Sequence, residues 1–251
     1  KNDLGNKVLR GGFPEAVGRK DPERRRAWFG SYLTSILQRD VRDLAHIEGL
    51  TDMPRLLSIM AARIGGLLNM ADISRAAGIP HSTLKRYLTL LETTFLVRIL
   101  PAWSVNLGKR LVKAPKLYLC DTGLASHLNG IQHLGFQETS PQKGPLFENF
   151  VFAELLKQAS WTGSPTVTLW HFRTSTGKDV DFILEGADGR IAGVEIKAAS
   201  TVRSDDFDGL KELAYHLKSR FTRGVVLYAG DSMVPFGENF WAVPIKTLWS
   251  N

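Results

Sequence analysis

Asp181, Glu195 and Lys197 are of types that, if brought together, could carry out metal-assisted hydrolysis. The stretch VEIKAA, residues 194–199, reads as a strand. Side chains alternate along a strand, so Glu195 and Lys197 emerge on one face while Val194 and Ile196 turn to the other. Asp181 stands directly before the apolar run Phe182, Ile183, Leu184 on a preceding strand, with thirteen residues between it and Glu195. GADGR between the two strands is a turn by composition, since Asp-Gly supplies the unusual backbone angles. The strands are therefore expected to be neighbours, with the Asp181 carboxylate beside Glu195. Carboxylates held close repel one another and favour a hard cation, Mg2+ or Mn2+, bound with several of its waters and a phosphate oxygen. A lysine beside such an ion can orient or help activate the attacking water and stabilise charge on phosphate. Asp181 and Glu195 are thus the expected metal ligands, and with Lys197 they suffice for hydrolysis of a phosphodiester. The plainer reading is a surface Glu195–Lys197 pair contributing about 0–1 kcal/mol. Asp179 is expected on the same face as Asp181, which is preferred because the apolar run begins directly after it.

The elements that must carry these residues follow from periodicity. PLFENFVFAELLKQA reads as a mostly buried helix, followed by strands over TVTLWHFRT, KDVDFILEG and GRIAGVEIKAA, a helix across DDFDGLKELAYHLKS, and further strands in GVVLYAG and NFWAVPIKTLW. That order describes an α/β sandwich over residues 144–251. Upstream, Trp28, Tyr32, Leu33, Ile36, Leu37, Val41 and Leu44 recur at helical intervals, predicting one long amphipathic helix over 22–46. A helix from Met70 to Ala77, Gly78 at a tight turn, and a second helix opened by Ser82 and Thr83 form a helix-turn-helix, with Ile73, Leu84 and Leu88 as its joint. Such a motif offers His81, Ser82, Thr83, Lys85 and Arg86 to DNA. VRILPAW and APKLYLC, read as two strands around NLGKRLVK, add a wing bearing Lys109, Arg110 and Lys113. Winged helices also serve as protein-docking modules, so contact with DNA is one of two readings.

Asp181 followed by Glu195-Ile196-Lys197 resembles the signature of the restriction-endonuclease-like PD-(D/E)xK nuclease superfamily, with Val180 where that family often has proline. The resemblance implies a further glutamate on the helix before the first core strand. Glu148 in LFENFVFAEL matches it, with Glu154 second. In order, GGFPEAV, YLTSILQRDVRDL, the winged helix, KLYLCDTGLASHL, GPLFENFVFAELLK and VDFIL…VEIKAA resemble the C-terminal half of a prokaryotic AAA-type ATPase family. That family implies an N-terminal P-loop module as partner, with residues 1–20 the tail of its helical lid. No G-x-x-x-x-G-K-[ST] occurs, so ATP is not expected to bind or be hydrolysed here.

The expected fold class is α+β and multidomain: a helical segment over 1–50, a winged helix-turn-helix over 51–120, a connector over 121–143 and a restriction-endonuclease-like domain over 144–251. The expected function is a metal-dependent nuclease or DNA-processing module guided by the winged helix. The alternative is a non-catalytic DNA-binding, regulatory or docking half of an AAA-type ATPase. A net charge of +7 in 251 residues suits a polyanionic partner such as DNA. With neither a membrane-length apolar run nor a signal-peptide stretch, a cytoplasmic protein is expected; self-association is left open. The chain begins without methionine, so a piece of a longer protein is expected. Cys120 reads as a packed thiol, the histidines His127, His133, His171 and His216 lack metal-ligand spacing, and no G-x-S-x-G elbow occurs.

Overall fold

Helix signals at the N-terminus are local. Asp21 accepts a hydrogen bond from the Glu23 N–H at 2.8 Å and Pro22 opens the helix. The computed structural model describes residues 3–41, 50–104, 113–134, 141–161, 163, 166–174 and 177–249, and the chain divides into two units.

The first unit comprises Lys1–Ile99 with Lys116–Gly135. Its helices are α1 (Asp3–Arg10), α2 (Pro14–Gly18), α3 (Pro22–Ser35), α4 (Met53–Ala61), α5 (Met70–Ala77), α6 (His81–Thr93) and α7 (Thr122–Leu128). Strands β1 (Val97–Leu100) and β2 (Lys116–Leu119) pair beside them. The helix expected over 22–46 is α-helical only to Ser35 and then widens into a π turn over Ile36–Val41; residues 42–49 lie outside the described residues.

Asn69 caps α5 by accepting from the Asp72 N–H, and Gly78 ends it in the left-handed region at φ 71°. Helix α6 opens at His81 rather than Ser82, because Pro80 takes the cap position and fixes the entry of the chain. Ile73, Leu84 and Leu88 are all buried. Asp121 joins distant backbone: it is 7% exposed, caps α7 by accepting from the Leu124 N–H at 2.9 Å, and accepts from the Gly12 N–H at 2.6 Å. Burial, with the Asp121 carboxylate beside it, pushes the Cys120 thiol up to about 12, so it is protonated at neutral pH.

The second unit comprises Leu100–Pro115 with Phe136–Asn251. It holds α8 (Lys143–Trp161), β3 (Val167–Arg173), β4 (Asp179–Gly186), β5 (Ile191–Lys197), α9 (Asp208–Leu217), β6 (Phe221–Tyr228), β7 (Val234–Gly237) and β8 (Phe240–Pro244). The sheet order is β3-β4-β5-β6-β8-β7. β3, β4 and β5 run antiparallel, β6 joins β5 and β8 joins β6 in parallel, and β7 closes the far edge antiparallel to β8. The parallel step from β5 to β6 is made through α9, as such a connection requires a crossover.

Helices cover both faces. Phe152 of α8 stacks on Phe182, which pairs with Val194, so these two face α8. Ile183 pairs with Gly193, whose Cα faces Leu210 and Leu213 of α9. At Gly209 in the first turn of α9, a Cβ would stand 1.9 Å from the Asp179 carbonyl oxygen. Gly209→Ala is therefore expected to cost about 2–3 kcal/mol by forcing α9 off β4. Thermal melting checks this, and a wild-type midpoint would show that the approach is not required.

Strands β1 and β2 pair as the sequence predicts, whereas the loop expected as a wing falls at 105–112 outside the described residues and the stretch leading into it takes another course. Strand β1 ends at Leu100, and Pro101–Trp103 instead runs beside β3: the Trp103 N–H donates to the His171 carbonyl at 2.6 Å and the His171 N–H to Pro101 at 3.0 Å. Trp103 is buried with Phe172, Val180, Ile183 and Leu210. The reason is physical: among the described residues β3 is the edge strand of its sheet, and a neighbouring backbone satisfies its outer groups while the indole fills the core.

Candidate active site at the end of strand β5

The site is built where β4 and β5 stop pairing. The last ladder pair toward this end is Phe182 with Val194, and one step further sets Asp181 opposite Glu195. There the backbone ladder gives way to a side chain: the Ile196 N–H donates to Asp181 Oδ2 at 3.0 Å. A bulge makes this geometry. Trp170 pairs with Ile183 but Phe172 with Val180, so Asp181 and Phe182 together oppose His171. The extra residue re-aims the strand at Asp181. The expectation that Asp179 and Asp181 share a face assumed unbroken alternation, and the bulge interrupts it there. Asp179 is exposed and pairs with Arg173 across the strands, whereas Asp181 is 8% exposed.

Alternation does hold along β5. Gly193 faces α9, so Glu195 and Lys197 follow on that face while Val194 and Ile196 turn toward α8. Both charged residues are half-buried. The Lys197 ammonium lies 3.2 Å from Asp206 Oδ1, in the 3-10 turn Ser204–Phe207 that leads into α9. Burial alone pulls the Lys197 pKa down, but Glu195, then Asp206 and Asp181, outweigh it and hold it above the ordinary lysine value. The group is thus an ammonium at neutral pH, with three carboxylates acting on it.

Three of the expected site residues, Asp181, Glu195 and Lys197, are brought together. Glu148 is half-buried on α8, the helix over the opposite face. Glu154 is engaged elsewhere, pairing with Lys157 and accepting from the Trp249 indole N–H at 3.2 Å. Asp206 was missed by sequence reasoning; its only signal was an acidic pair, Asp205-Asp206, set between the lysine-bearing strand and the next helix. Among the described residues no three His, Cys, Asp or Glu side chains converge as a ligand group. The donors present are hard carboxylate oxygens on neighbouring strands. These suit Mg2+ or Mn2+, which takes one or two carboxylates and completes its shell with water and phosphate oxygen.

The residues expected to meet DNA are distributed differently. His81, Ser82, Lys85 and Arg86 are exposed and Thr83 half-exposed on the first turns of α6, whose other face buries Leu84, Tyr87, Leu88 and Leu91. Lys109 and Arg110 lie outside the described residues. Lys113 belongs to the second unit, where its ammonium donates to the Arg173 carbonyl at 3.2 Å. His171, read as a strand residue with satisfied polar groups, is buried, with Nε2 3.1 Å from the Ala114 carbonyl. Among the described residues no helix is long and apolar enough to cross a membrane.

Comparison with known proteins adds two family matches. A domain of unknown function, DUF8612, matches residues 1–135, and another, DUF4143, matches residues 143–248. An uncharacterised protein of Mycobacterium tuberculosis and one of Mycobacterium bovis are each 32% identical over 242 residues, covering 96% of this chain and 52% of their own. An uncharacterised protein of Haemophilus influenzae is 26% identical over 226 residues, covering 85% of this chain and 49% of its own. The chain spans about half the length of the curated relatives it matches.

Proposed function

The chain belongs to the DUF8612 family, and we propose that its second unit is a metal-dependent nuclease of the PD-(D/E)xK type, guided to DNA by the helix-turn-helix of the first. One observation carries the reading: the bulged strand β4 delivers Asp181 opposite Glu195, with the Lys197 ammonium in the field of both. Asp181 and Glu195 would hold Mg2+ or Mn2+, and Glu148 stands as a further carboxylate by family resemblance. The ion when bound supplies a Lewis-acid charge toward phosphate oxygen and a more acidic water. The chain's own part is narrower. Asp181 fixes the β5 backbone through the Ile196 N–H, and the Lys197 ammonium offers fixed positive charge where charge develops on the phosphate. A group held above the ordinary lysine pKa serves as a charge and hydrogen-bond donor rather than as a base.

The test is incubation of the purified chain with plasmid and single-stranded DNA in Mg2+ or Mn2+, against chelator. Cleavage that needs the ion supports the reading. DNA binding is expected to weaken with salt, and the log–log slope to shrink by about 0.9 for each phosphate contact removed, as in Lys85→Ala or Arg86→Ala. An unchanged slope would take α6 out of the interface.

A second reading, a non-catalytic DNA-binding or regulatory half of an AAA-type ATPase, draws support from the relatives, which are about twice as long. Salt-sensitive binding without cleavage would favour it.

A further inference from the structure

Asp206 divides its two oxygens between two tasks. Oδ2 accepts the Arg203 N–H at 2.8 Å and closes the 3-10 turn, while Oδ1 lies 3.2 Å from the Lys197 ammonium. Its backbone is anchored by the next residue: Phe207 is fully buried, stacks on Phe236 at 4.6 Å and meets Phe240 edge-on at 6.1 Å. Asp206 therefore has little freedom to follow the lysine, whereas Lys197 has a long flexible stem that must be held somewhere. Asp205, its neighbour, is exposed.

We propose that Asp206 is the positioning residue of this site, holding the Lys197 ammonium on the α9 face of β5 beside Glu195. The inference rests on the reading of Asp181, Glu195 and Lys197 as a hydrolytic site. Asp206 does not touch the reacting atoms; it acts through Lys197. Without it, the carboxylates left to draw the ammonium among the described residues would be Glu195 and Asp181, the two assigned to the ion.

The variants separate the two tasks of the side chain. Asp206→Asn keeps an oxygen for the Arg203 N–H and removes the charge that holds Lys197, whereas Asp206→Ala removes both and Asp206→Glu restores the charge. Three measurements are made on each purified full chain: the thermal midpoint, steady-state DNA cleavage, and the labelling rate of each lysine with a limiting amine reagent, read by mass spectrometry. For Asp206→Asn a near wild-type midpoint is expected, with kcat down by about tenfold or more from misplacement and KM little changed. Lys197 is expected to label several-fold faster while other lysines keep their rates, and Asp206→Glu to recover part of both effects.

Unchanged Lys197 labelling in Asp206→Asn would overturn the proposal whether or not the chain cleaves DNA. So would cleavage lost only in Asp206→Ala, since that would assign Asp206 to the turn alone. Faster labelling of Lys197 in a chain that never cleaves DNA would leave its positioning by Asp206 standing and remove the nuclease reading.

Discussion

Asp181→Asn is expected to reduce metal-dependent DNA cleavage by about a thousandfold or more while the protein melts close to the wild-type midpoint. The amide oxygen can still accept the Ile196 N–H that Asp181 Oδ2 takes at 3.0 Å, so the end of the β4–β5 pairing is preserved. What disappears is the negative charge opposite Glu195. A carboxylate ligand that helps an ion act on phosphate is worth several kcal/mol, and each 1.36 kcal/mol is about tenfold in rate. Asp181→Ala is expected to be as inactive and also less stable, since it leaves a strand N–H without its acceptor. Cleavage rates across a Mn2+ titration, with melting curves for all three proteins, separate the two effects. Wild-type activity in Asp181→Asn would remove Asp181 from the ion and with it the hydrolytic reading.

Asp121→Ala has the largest expected effect on stability, about 3–5 kcal/mol, because one buried carboxylate serves two backbone donors far apart in sequence, at Gly12 and Leu124. Gly123 closes the same junction so tightly that a Cβ there would stand 2.5 Å from the Arg10 carbonyl oxygen and 2.7 Å from the Phe29 ring. Little room is left for water to replace the lost acceptor. A loss of this size lowers the thermal midpoint by about 10 °C or more. Asp121→Asn should fall between, since its oxygen can accept from one N–H while its NH2 cannot accept from the other. Chemical denaturation of the three proteins measures the differences, and a loss below about 1 kcal/mol in Asp121→Ala would show that the α1–α2 segment is held by packing instead.

What could be read from the sequence was what is encoded locally. Asp-Gly at 188–189 marks the β4–β5 turn, alternation places Glu195 with Lys197, and Gly78 marks the end of α5. Each depends on residues a few positions apart. The bulge at Asp181 was hidden because it arises from how β4 meets His171 on another strand. Asp206 was hidden because its partner depends on the path taken after β5: DDFDG reads as a helix start, which it also is. Trp103 was misread for a related reason. Apart from Arg98, VRILPAW is apolar throughout, and only Pro101 within it warned that the strand would end. Val234–Gly237 is short and contains a proline, and pattern alone gave no reason to separate it from its neighbours.

The course of Pro101–Trp103 bears on inheritance. The first family match runs to residue 135 and the second starts at 143, yet Trp103 lies within the first and fills the core of the second unit. A gene exchanged between relatives at that seam would bring in a sheet whose Trp103 comes from the other parent. An ill-fitting or absent indole there would cost about 3–5 kcal/mol. The two matched segments are therefore not free to be shuffled as independent modules. Recombination that separates them has to preserve a compatible residue at 103, so the pair is expected to travel and diverge together.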